Sequence, residues 1–464
     1  MLYNAKACRY LQCAIGLLGT EARYLADDLE GLINSGVKNL GLEIHFKSIT
    51  CGDKDAARYS GFSGGRREET LANLARFSLQ QFKFGKGEIV MTRTYKYQRH
   101  SRIVVPFQWH DAPVSLPLDH PLITGRTAHS QLIQAYGGKR TDRLPIWFMR
   151  QAGRSLPEYR TLREGVPMLD SCLRPDMAAE ITLQPVRRHK VDAAIFFSDI
   201  VIPLRLAGVD VDIVAGVGPV MAHPVRTRAD FNSLRELEVD ALSPITQAIQ
   251  IVIAELGDTP LIGFGGAPFT LASYLIEGAP SKDLPITRAL MKADPALWND
   301  ILAWAARTTS AFIRAQVLAG ASALQLFDSW AGRLSIDEYT NFAAPHSKTV
   351  MTSLSDLPVA RVHFGTKTGS MLPQMRDVGA TVMGIDSDTP LDVANAVLGG
   401  NVPLQGNIDP EKLHRPWEEL QTHVLDVIRR GSVAPAHVVN LGHGVPPNTD
   451  PDVLTRLVAF VHEQ

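Results

Sequence analysis

Eight short apolar segments recur between residue 145 and residue 464, and a long connection separates each from the next. Unbroken apolar segments are typical of strands buried on both faces, and parallel pairing requires long connections. Helical patterns fill some of the connections, among them residues 295–320 and 417–429. This alternation predicts a single (β/α)8 TIM barrel, a fold of about 250 residues that accepts insertions. The predicted strands are residues 145–149, 193–197, 261–264, 323–327, 359–364, 381–385, 402–405 and 437–441.

An open doubly wound sheet is the alternative, because the same alternation of strands and helices also builds that fold. Its nucleotide-binding fingerprint, Gly-x-Gly-x-x-Gly, does not follow the first predicted strand. Residues 365–370 (GTKTGS) imitate a phosphate-binding loop, but their lysine precedes the second glycine instead of following it. We therefore favour the barrel, with residues 208–220 as a hairpin-like excursion after the second strand.

The sequence changes character near residue 115. Residues 1–116 contain polar, glycine-bearing stretches and a helical pattern at 69–81, but no sustained core period. We expect them to form an N-terminal extension of low order, without clear architecture, or to result from a mis-assigned start. The barrel domain is expected at residues 117–464.

Two features of the extension carry hypotheses of their own. Residues 83–102 are rich in lysine and arginine, so they form either a basic arm or a solvated segment. Met91 is the only methionine between Met1 and Met149, which suggests that translation begins at Met91. N-terminal sequencing of the native protein would decide this, and a native chain that starts at Met1 would exclude it.

The composition is that of a globular protein, with 45% hydrophobic and 20% charged residues. A formal net charge of -1 argues against broad binding to nucleic acid or anionic membranes, so any anion site must be local. No apolar run approaches the roughly 20 residues of a membrane span. The four cysteines are too few and too unevenly placed for a disulfide framework, and no secretory signal is apparent. We expect a cytoplasmic protein without nucleic-acid or membrane partners.

Polar residues and glycines follow the predicted strands, which in a barrel would end at one shared mouth. Arg150 and Arg154, with Gly153 between them, predict a turn into a helix where guanidinium groups and backbone amides face one anion. Arg163 is near enough in sequence to join them. Surface ion pairs are the alternative for each of these arginines.

Three further side chains are candidates for the mouth. Asp199 follows the apolar second strand, where its carboxylate keeps its charge only beside a cation or N–H donors; capping of the next helix is the alternative. His443 lies between two glycines, which favours a ligand contact, although a structural role is equally open. Tyr274 is ambiguous, because it can simply pack. The residues by themselves predict a mouth that binds a small polyanion.

Residues 145–160 (PIWFMRQAGRSLPEYR) closely resemble the signature of the uroporphyrinogen decarboxylase family. The resemblance covers roughly residues 117–464, and nothing before that range resembles the family. It continues through EITLQP (180–185), FFSDI (196–200), GAPFTLASY (266–274), QLFDSWAG (325–332), QGNIDP (405–410) and NLGHG (440–444).

The resemblance implies a TIM-barrel carboxy-lyase, usually a homodimer, that converts uroporphyrinogen III to coproporphyrinogen III by removing carbon dioxide from four acetate side chains. It implies no cofactor and no metal, because the protonated pyrrole ring of the substrate serves as the electron sink. By the family's pattern, Asp199 contacts the pyrrole N–H groups and stabilises the cationic intermediate, and Arg150 binds a carboxylate and takes part in proton delivery. The implied substrate contacts are Arg150, Gln151, Ala152, Gly153, Arg154, Arg163, Asp199, Tyr274, Ser329 and His443.

Two positions depart from the family's pattern: Ser155 stands where tyrosine is common, and residues 386–388 (DSD) lack the tryptophan that often follows the first aspartate. Neither departure removes a residue with an implied catalytic role. A zinc-dependent methyltransferase of corrinoid metabolism is the nearest rival, but it requires thiolate ligands, and Cys172 is the only cysteine of the predicted barrel. A non-catalytic tetrapyrrole binder is the second rival, and the presence of Asp199 and Arg150 argues against it.

Overall fold

The computed structural model describes residues 84–85, 88–89, 116–153 and 155–464. The chain forms two compact units, Met1–Val104 and Val105–Gln464. In the first unit, Phe84–Gly85 (β1) pairs antiparallel with Glu88–Ile89 (β2).

Several predictions lie outside the described residues. They are the helical pattern at 69–81, the start at Met91, most of the basic segment at 83–102, and the position of Arg154. The extent of the extension, residues 1–116, also stays a prediction.

Strands of the second unit overlap seven of the eight predicted segments. Two further strands form a hairpin. The strands of this unit are Ala194–Ile195 (β3), Val211–Val214 (β4), Gly218–Met221 (β5), Leu261–Gly266 (β6), Ala323–Asp328 (β7), Ala360–Gly365 (β8), Val382–Gly384 (β9), Leu404–Gln405 (β10) and His437–Val438 (β11). Strands β4 and β5 pair antiparallel, which confirms the predicted hairpin after the second strand. The other seven form one parallel sheet in the order β11-β10-β9-β8-β7-β6-β3. This order follows the chain without the reversal that defines a doubly wound sheet.

The first predicted strand, residues 145–149, is reduced to a single parallel bridge between Ile146 and Val439. Beyond it, the amide of Phe148 donates to the side chain of Gln151, and that of Met149 to the side chain of Asn440. These amides are therefore not available to a neighbouring strand, which explains why the segment does not extend as a ladder.

This short segment contacts both edges of the parallel sheet. On one side it bridges Val439, which directly follows β11. On the other side the amide of Asp192, two residues before β3, donates to the carbonyl of Ile146 at 2.9 Å. Because one segment reaches both edge strands, the sheet is curled, and the unit is an α/β fold built on a curled parallel sheet.

Helices fill the connections between the strands. The predicted helix at residues 295–320 is confirmed as a 24-residue helix that begins with Pro295, and the side chain of Asp294 caps it by accepting from the amide of Leu297 at 2.9 Å. The α-helices of the described residues are Gln131–Tyr136 (α1), Pro157–Leu162 (α2), Met168–Cys172 (α3), Pro175–His189 (α4), Ile202–Leu206 (α5), Arg228–Asn232 (α6), Ser243–Glu255 (α7), Pro268–Glu277 (α8), Pro285–Ala293 (α9), Pro295–Leu318 (α10), Ile336–Glu338 (α11), Ala344–Ser353 (α12), Leu372–Asp377 (α13), Leu391–Val397 (α14), Trp417–Gly431 (α15) and Pro451–His462 (α16).

Two buried tryptophans of α10 join this helix to the segments that pack against it. Trp298 and Trp304 are almost fully buried, and each indole N–H still finds an acceptor. Trp298 donates to the carbonyl of Phe342 at 3.2 Å, and Trp304 to that of Arg235 at 2.9 Å. The large apolar area is thus buried without an unpaired donor, as a stable core requires.

Among the described residues, no helix combines the length and apolarity needed to cross a bilayer.

A buried histidine links the last strand to α15. The Nε2 atom of His437 lies 2.6 Å from the carbonyl of Gly406, so it carries the proton and donates. A Cβ atom at Gly431, the last residue of α15, would stand 2.3 Å from the Nδ1 atom. Burial lowers the pKa of His437 to about 4, although the bond to Gly406 acts in the opposite direction. The imidazole is therefore neutral in the folded protein at neutral pH.

This depressed pKa predicts a pH-dependent stability. Between about pH 4 and the ordinary value of 6.5, the unfolded chain binds the proton and the folded chain does not, so stability falls as the pH falls. We expect His437 to remove about 2–3 kcal/mol from the free energy of unfolding between pH 7 and pH 4.5. The variant His437→Gln keeps an N–H donor and should lose that part of the dependence in urea titrations. His189, whose pKa burial also lowers to about 4, is present in both proteins and serves as the internal reference. An unchanged pH dependence in His437→Gln would contradict this assignment.

Candidate active site

The parallel strands of the curled sheet all end at the same edge, which we call the carboxyl edge. Asp199 lies four residues beyond β3, Tyr274 lies in α8 after β6, and Ser329 directly follows β7. The loop that contains His443 follows β11. The structure therefore brings together residues that the sequence places far apart, at the position where α/β sheets bind ligands.

Arg150 lies in a strained turn at this edge. Its φ angle is +60°, in the left-handed region that residues other than glycine rarely adopt. The carbonyl of Met149 accepts from the amide of Val445 at 2.8 Å, so the turn is fixed to the loop after β11. Gly153, with a φ angle of +127°, completes the turn before α2, which confirms the predicted turn into a helix. The side chain of Arg150 is exposed.

Gln151 is fully buried, and the oxygen and the nitrogen of its side-chain amide both bond to the backbone. Its Oε1 atom accepts from the amide of Phe148 at 3.0 Å, and its Nε2 atom donates to the carbonyl of Ala193 at 2.9 Å. The side chain thus braces the turn against the segment that leads into β3. Its expected contact with substrate stays a prediction, as do those of the half-buried Ala152 and of Gly153.

Two nearby charges affect the pKa of the Tyr274 phenol. Burial is the main cause that raises its pKa; the carboxylate of Asp199 raises it further, and the guanidinium of Arg150 lowers it. The ring also packs edge-on against Trp330, with 5.7 Å between the ring centroids. A carboxylate and a guanidinium from two other connections therefore lie within electrostatic reach of this phenol.

Arg163 approaches the same region from α2. Its guanidinium lies 5.3 Å from the ring centroid of Tyr159, and its Nη1 atom donates to the carbonyl of Val166 at 3.2 Å. Burial raises the pKa of the Cys172 thiol well above its ordinary value, Asp199 raises it further and Arg163 lowers it. Arg163 and Asp199 thus act on the same buried thiol, which keeps its proton.

Asp199 is half-buried and one of its oxygens is held by the backbone. The Oδ1 atom accepts from the amide of Val201 at 3.0 Å, immediately before α5. The predicted alternative, an aspartate that caps the next helix, is not found, because Val201 is the N-cap residue of α5 and no side chain caps this helix. The bond from the amide of Val201 still fixes the position of the carboxylate, which a binding role requires.

A buried aspartate supports the turn that contains Ser329. Asp328 has no exposed surface, and its Oδ1 atom accepts from the hydroxyl of Thr270 at 2.8 Å. The hydroxyl of Thr270 in turn accepts from the amide of Trp330 at 3.2 Å, and the carbonyl of Ser329 accepts from Thr366 at 3.0 Å. These bonds fix the Ser329–Trp330 turn, and through the ring contact they orient Tyr274.

The sequence patterns predict no role at the site for Asp328 or for its neighbour His363. The Nε2 atom of His363 lies 3.8 Å from the Oδ2 atom of Asp328, and both residues are fully buried. The Nδ1 atom of His363 lies 3.0 Å from the carbonyl of Met375 and must donate to it. The usable signal in the sequence was an aspartate at a strand end, directly before an expected substrate contact.

His443 is exposed in the loop after β11, and its two flanking glycines lie against different elements. A Cβ atom at Gly442 would stand 2.2 Å from the backbone nitrogen of Ser387. Asp386, next to this contact, is buried; burial raises its pKa, and a bond from the amide of Lys367 acts against this. Asp386, in the segment that departs from the family's pattern, is thus buried and bonded to the backbone at the same edge.

Metal ligation was not expected for this site. Within the part of the chain that the structure describes, no group of three or more His, Cys, Asp or Glu side chains has the arrangement of a metal site.

The family model described as Uroporphyrinogen decarboxylase (URO-D) matches residues 127–464. The chain belongs to the uroporphyrinogen decarboxylase family. A protein named uroporphyrinogen decarboxylase from Arthrobacter sp. (strain FB24) is 61% identical over 338 residues, which cover 73% of this chain and 98% of that protein. A protein of the same name from Leifsonia xyli subsp. xyli (strain CTCB07) is 55% identical over 364 residues, 74% of this chain and 97% of that protein. The prediction of an enzyme of the carboxy-lyase class is confirmed.

A solved structure is similar in fold to this family member. The structure described as a methyltransferase from Methanosarcina mazei superposes with a TM-score of 0.61 and covers 72% of this chain and 97% of its own length. Its sequence identity is 19%, so the likeness concerns the fold alone.

The buried Asp328 network predicts different effects for two substitutions. Asp328→Ala removes the acceptor of Thr270 and leaves His363 without its neighbour, so we expect the free energy of unfolding to fall by about 2–4 kcal/mol. Asp328→Asn keeps a carbonyl oxygen for Thr270 and offers an N–H toward Nε2 of His363, so the loss should be clearly smaller. Urea unfolding followed by fluorescence measures both. Equal losses in the two variants would show that these polar contacts do not stabilise the turn.

Proposed function

We propose that this chain decarboxylates the four acetate side chains of uroporphyrinogen III to give coproporphyrinogen III and carbon dioxide, without a cofactor, in haem biosynthesis. Family membership supports the class of reaction. The observation that carries the proposal to this site is the grouping of Asp199 and Arg150 around the half-buried phenol of Tyr274. Opposite charges beside one aromatic ring suit a substrate with acidic side chains and a ring that becomes cationic.

We also propose that the segment around Ile146 completes a (β/α)8 TIM barrel that the seven-stranded sheet begins. The bridge to Val439 and the bond from the amide of Asp192 support this, since they extend the sheet from both of its edges. In such a barrel the carboxyl edge becomes a mouth lined by every connection that follows a strand.

Local arginines supply the positive charge for a polyanionic substrate. The chain has a formal net charge of -1, so attraction of carboxylates depends on the mouth and not on the whole surface. Arg150 is exposed at the carboxyl edge, and Arg163, directly after α2, lies against the ring of Tyr159. In this proposal Arg150, Arg154 and Arg163 bind substrate carboxylates through charge-assisted hydrogen bonds.

The chemistry needs a cation-stabilising group and a proton source. Protonation of the ring carbon next to the one that bears the acetate makes the pyrrole cationic. The electrons of the breaking carbon–carboxyl bond then form an exocyclic methylene group and neutralise the ring as carbon dioxide leaves. A second proton converts the resulting methylene group to methyl, and the proton on the ring carbon is lost, so each acetate consumes one proton in total. The carboxylate of Asp199, fixed by the amide of Val201, accepts pyrrole N–H bonds and stabilises the cation. Arg150 takes part in proton delivery in this scheme.

The remaining expected contacts are assigned by their position. Tyr274, Ser329 and His443 contact the macrocycle or its side chains from the connections after β6, β7 and β11. The turn of Gln151, Ala152 and Gly153 shapes the first connection. A homodimer, a cytoplasmic location and a domain boundary at residues 116 and 117 stay predictions.

Removal of the charge of Asp199 tests the proposed mechanism. We expect Asp199→Asn to lower turnover by about tenfold or more, since it removes preorganised negative charge from the cationic ring while keeping the size of the side chain. The assay is anaerobic incubation with uroporphyrinogen III, followed by oxidation and separation of the porphyrins by carboxylate number. Asp258→Asn is the matched control, because Asp258 is exposed in the turn before β6, at the opposite edge of the sheet. Wild-type turnover in Asp199→Asn would refute the role of this residue.

A further inference from the structure

A steric relation between Arg150 and Gly444 has a consequence for the proposed site. The nearest atoms to a Cβ built at Gly444 all belong to the side chain of Arg150, with distances of 2.4 Å to Cδ, 2.7 Å to Cγ and 3.1 Å to Cβ. Real Cβ atoms essentially never approach another atom to less than 3.0 Å. The aliphatic part of the arginine therefore occupies the space that any side chain at position 444 would need.

The backbone does not explain the glycine at this position. Gly444 is absent from the residues with positive φ, so no left-handed backbone conformation requires a glycine there. Gly442, on the other side of His443, has a different environment, because its Cβ would meet the backbone nitrogen and Cα of Ser387 at 2.2 and 2.7 Å. The first glycine lets two loops approach, whereas Gly444 faces one flexible side chain.

The backbone of Arg150 is fixed, so it cannot easily move away from a side chain at position 444. Its backbone is held in the left-handed region, and the two bonds of Met149, to the side chain of Asn440 at 3.0 Å and from the amide of Val445 at 2.8 Å, fix the turn against the same loop that contains Gly444. The Cα–Cβ direction of Arg150 is thus set, and the surface of Gly444 selects the path of the side chain beyond it.

We propose that Gly444 is a positioning residue for Arg150, which directs the guanidinium toward a substrate carboxylate. This inference rests on the proposed function of Arg150. A methyl group at 444 displaces the arginine stem by about 1 Å, since ordinary carbon–carbon contacts are about 3.5–4.0 Å. A displacement of that size in a group that orients substrate can lower the rate by about 100-fold.

The test is a double-mutant cycle with wild type, Gly444→Ala, Arg150→Ala and the double variant. We expect Gly444→Ala to lower kcat/KM for uroporphyrinogen by about 100-fold. Because Arg150→Ala removes the Cγ and Cδ atoms in the way, adding Gly444→Ala to it should change activity by less than about threefold. Where turnover is too slow, quenching of tryptophan fluorescence by uroporphyrin III measures binding across the same four proteins.

The unfolding midpoint in urea separates this inference from the proposed function, since it needs no substrate. Gly444→Ala should lower the midpoint in the wild-type background and have little effect in the Arg150→Ala background. If Gly444→Ala alone does not fold, the double variant should still fold, because it lacks the arginine atoms that the new methyl group would meet. Equal effects of Gly444→Ala in both backgrounds would overturn the inference, as would wild-type kcat/KM in Gly444→Ala. A wild-type protein that removes no carboxyl group would instead refute the proposed function and leave the stability cycle to decide the steric relation.

Discussion

Contacts between the first apolar segment and the loop after the last strand hold the candidate site together. Ile146 bridges Val439, and the amide of Met149 donates to Asn440, a residue 291 positions away in sequence. Because these two distant parts of the chain meet here, the turn of Arg150 lies at the same edge as Asp199 and Tyr274. Each backbone bond contributes about 1 kcal/mol, but their main effect is geometric, since they fix the strained turn.

A line of buried hydrogen bonds supports that contact from inside the sheet. The indole N–H of Trp147 donates to the hydroxyl of Tyr136, which donates to the side chain of Gln405. The amide of Gln405 then donates to Gln325, and Gln325 donates to the sulfur of Met149 at 3.6 Å. Polar groups in a core are stabilising only when they are paired, and this series pairs them while it joins β7 and β10 to the residue before Arg150.

The sequence predicted the elements whose patterns are local. The apolar segments, the long helix α10 and the hairpin of β4 and β5 are found where their patterns indicate them. The first segment was wrong as an extended strand, because Gln151 and Asn440 accept from its last amides, and no periodicity encodes such side-chain bonds. The site residues could be grouped because they follow strand ends. Asp328 also lies at a strand end, but its buried pairing with His363 on the next strand is a side-chain contact that no local pattern encodes.

The central claim is that the carboxyl edge of this chain removes carbon dioxide from uroporphyrinogen. The most direct measurement is the carbon dioxide released per macrocycle by the wild-type protein, under anaerobic reducing conditions and without added metal or cofactor. The account predicts four molecules per macrocycle, with a tetracarboxylic porphyrin after oxidation. Tight binding of uroporphyrinogen with no release of carbon dioxide would contradict it.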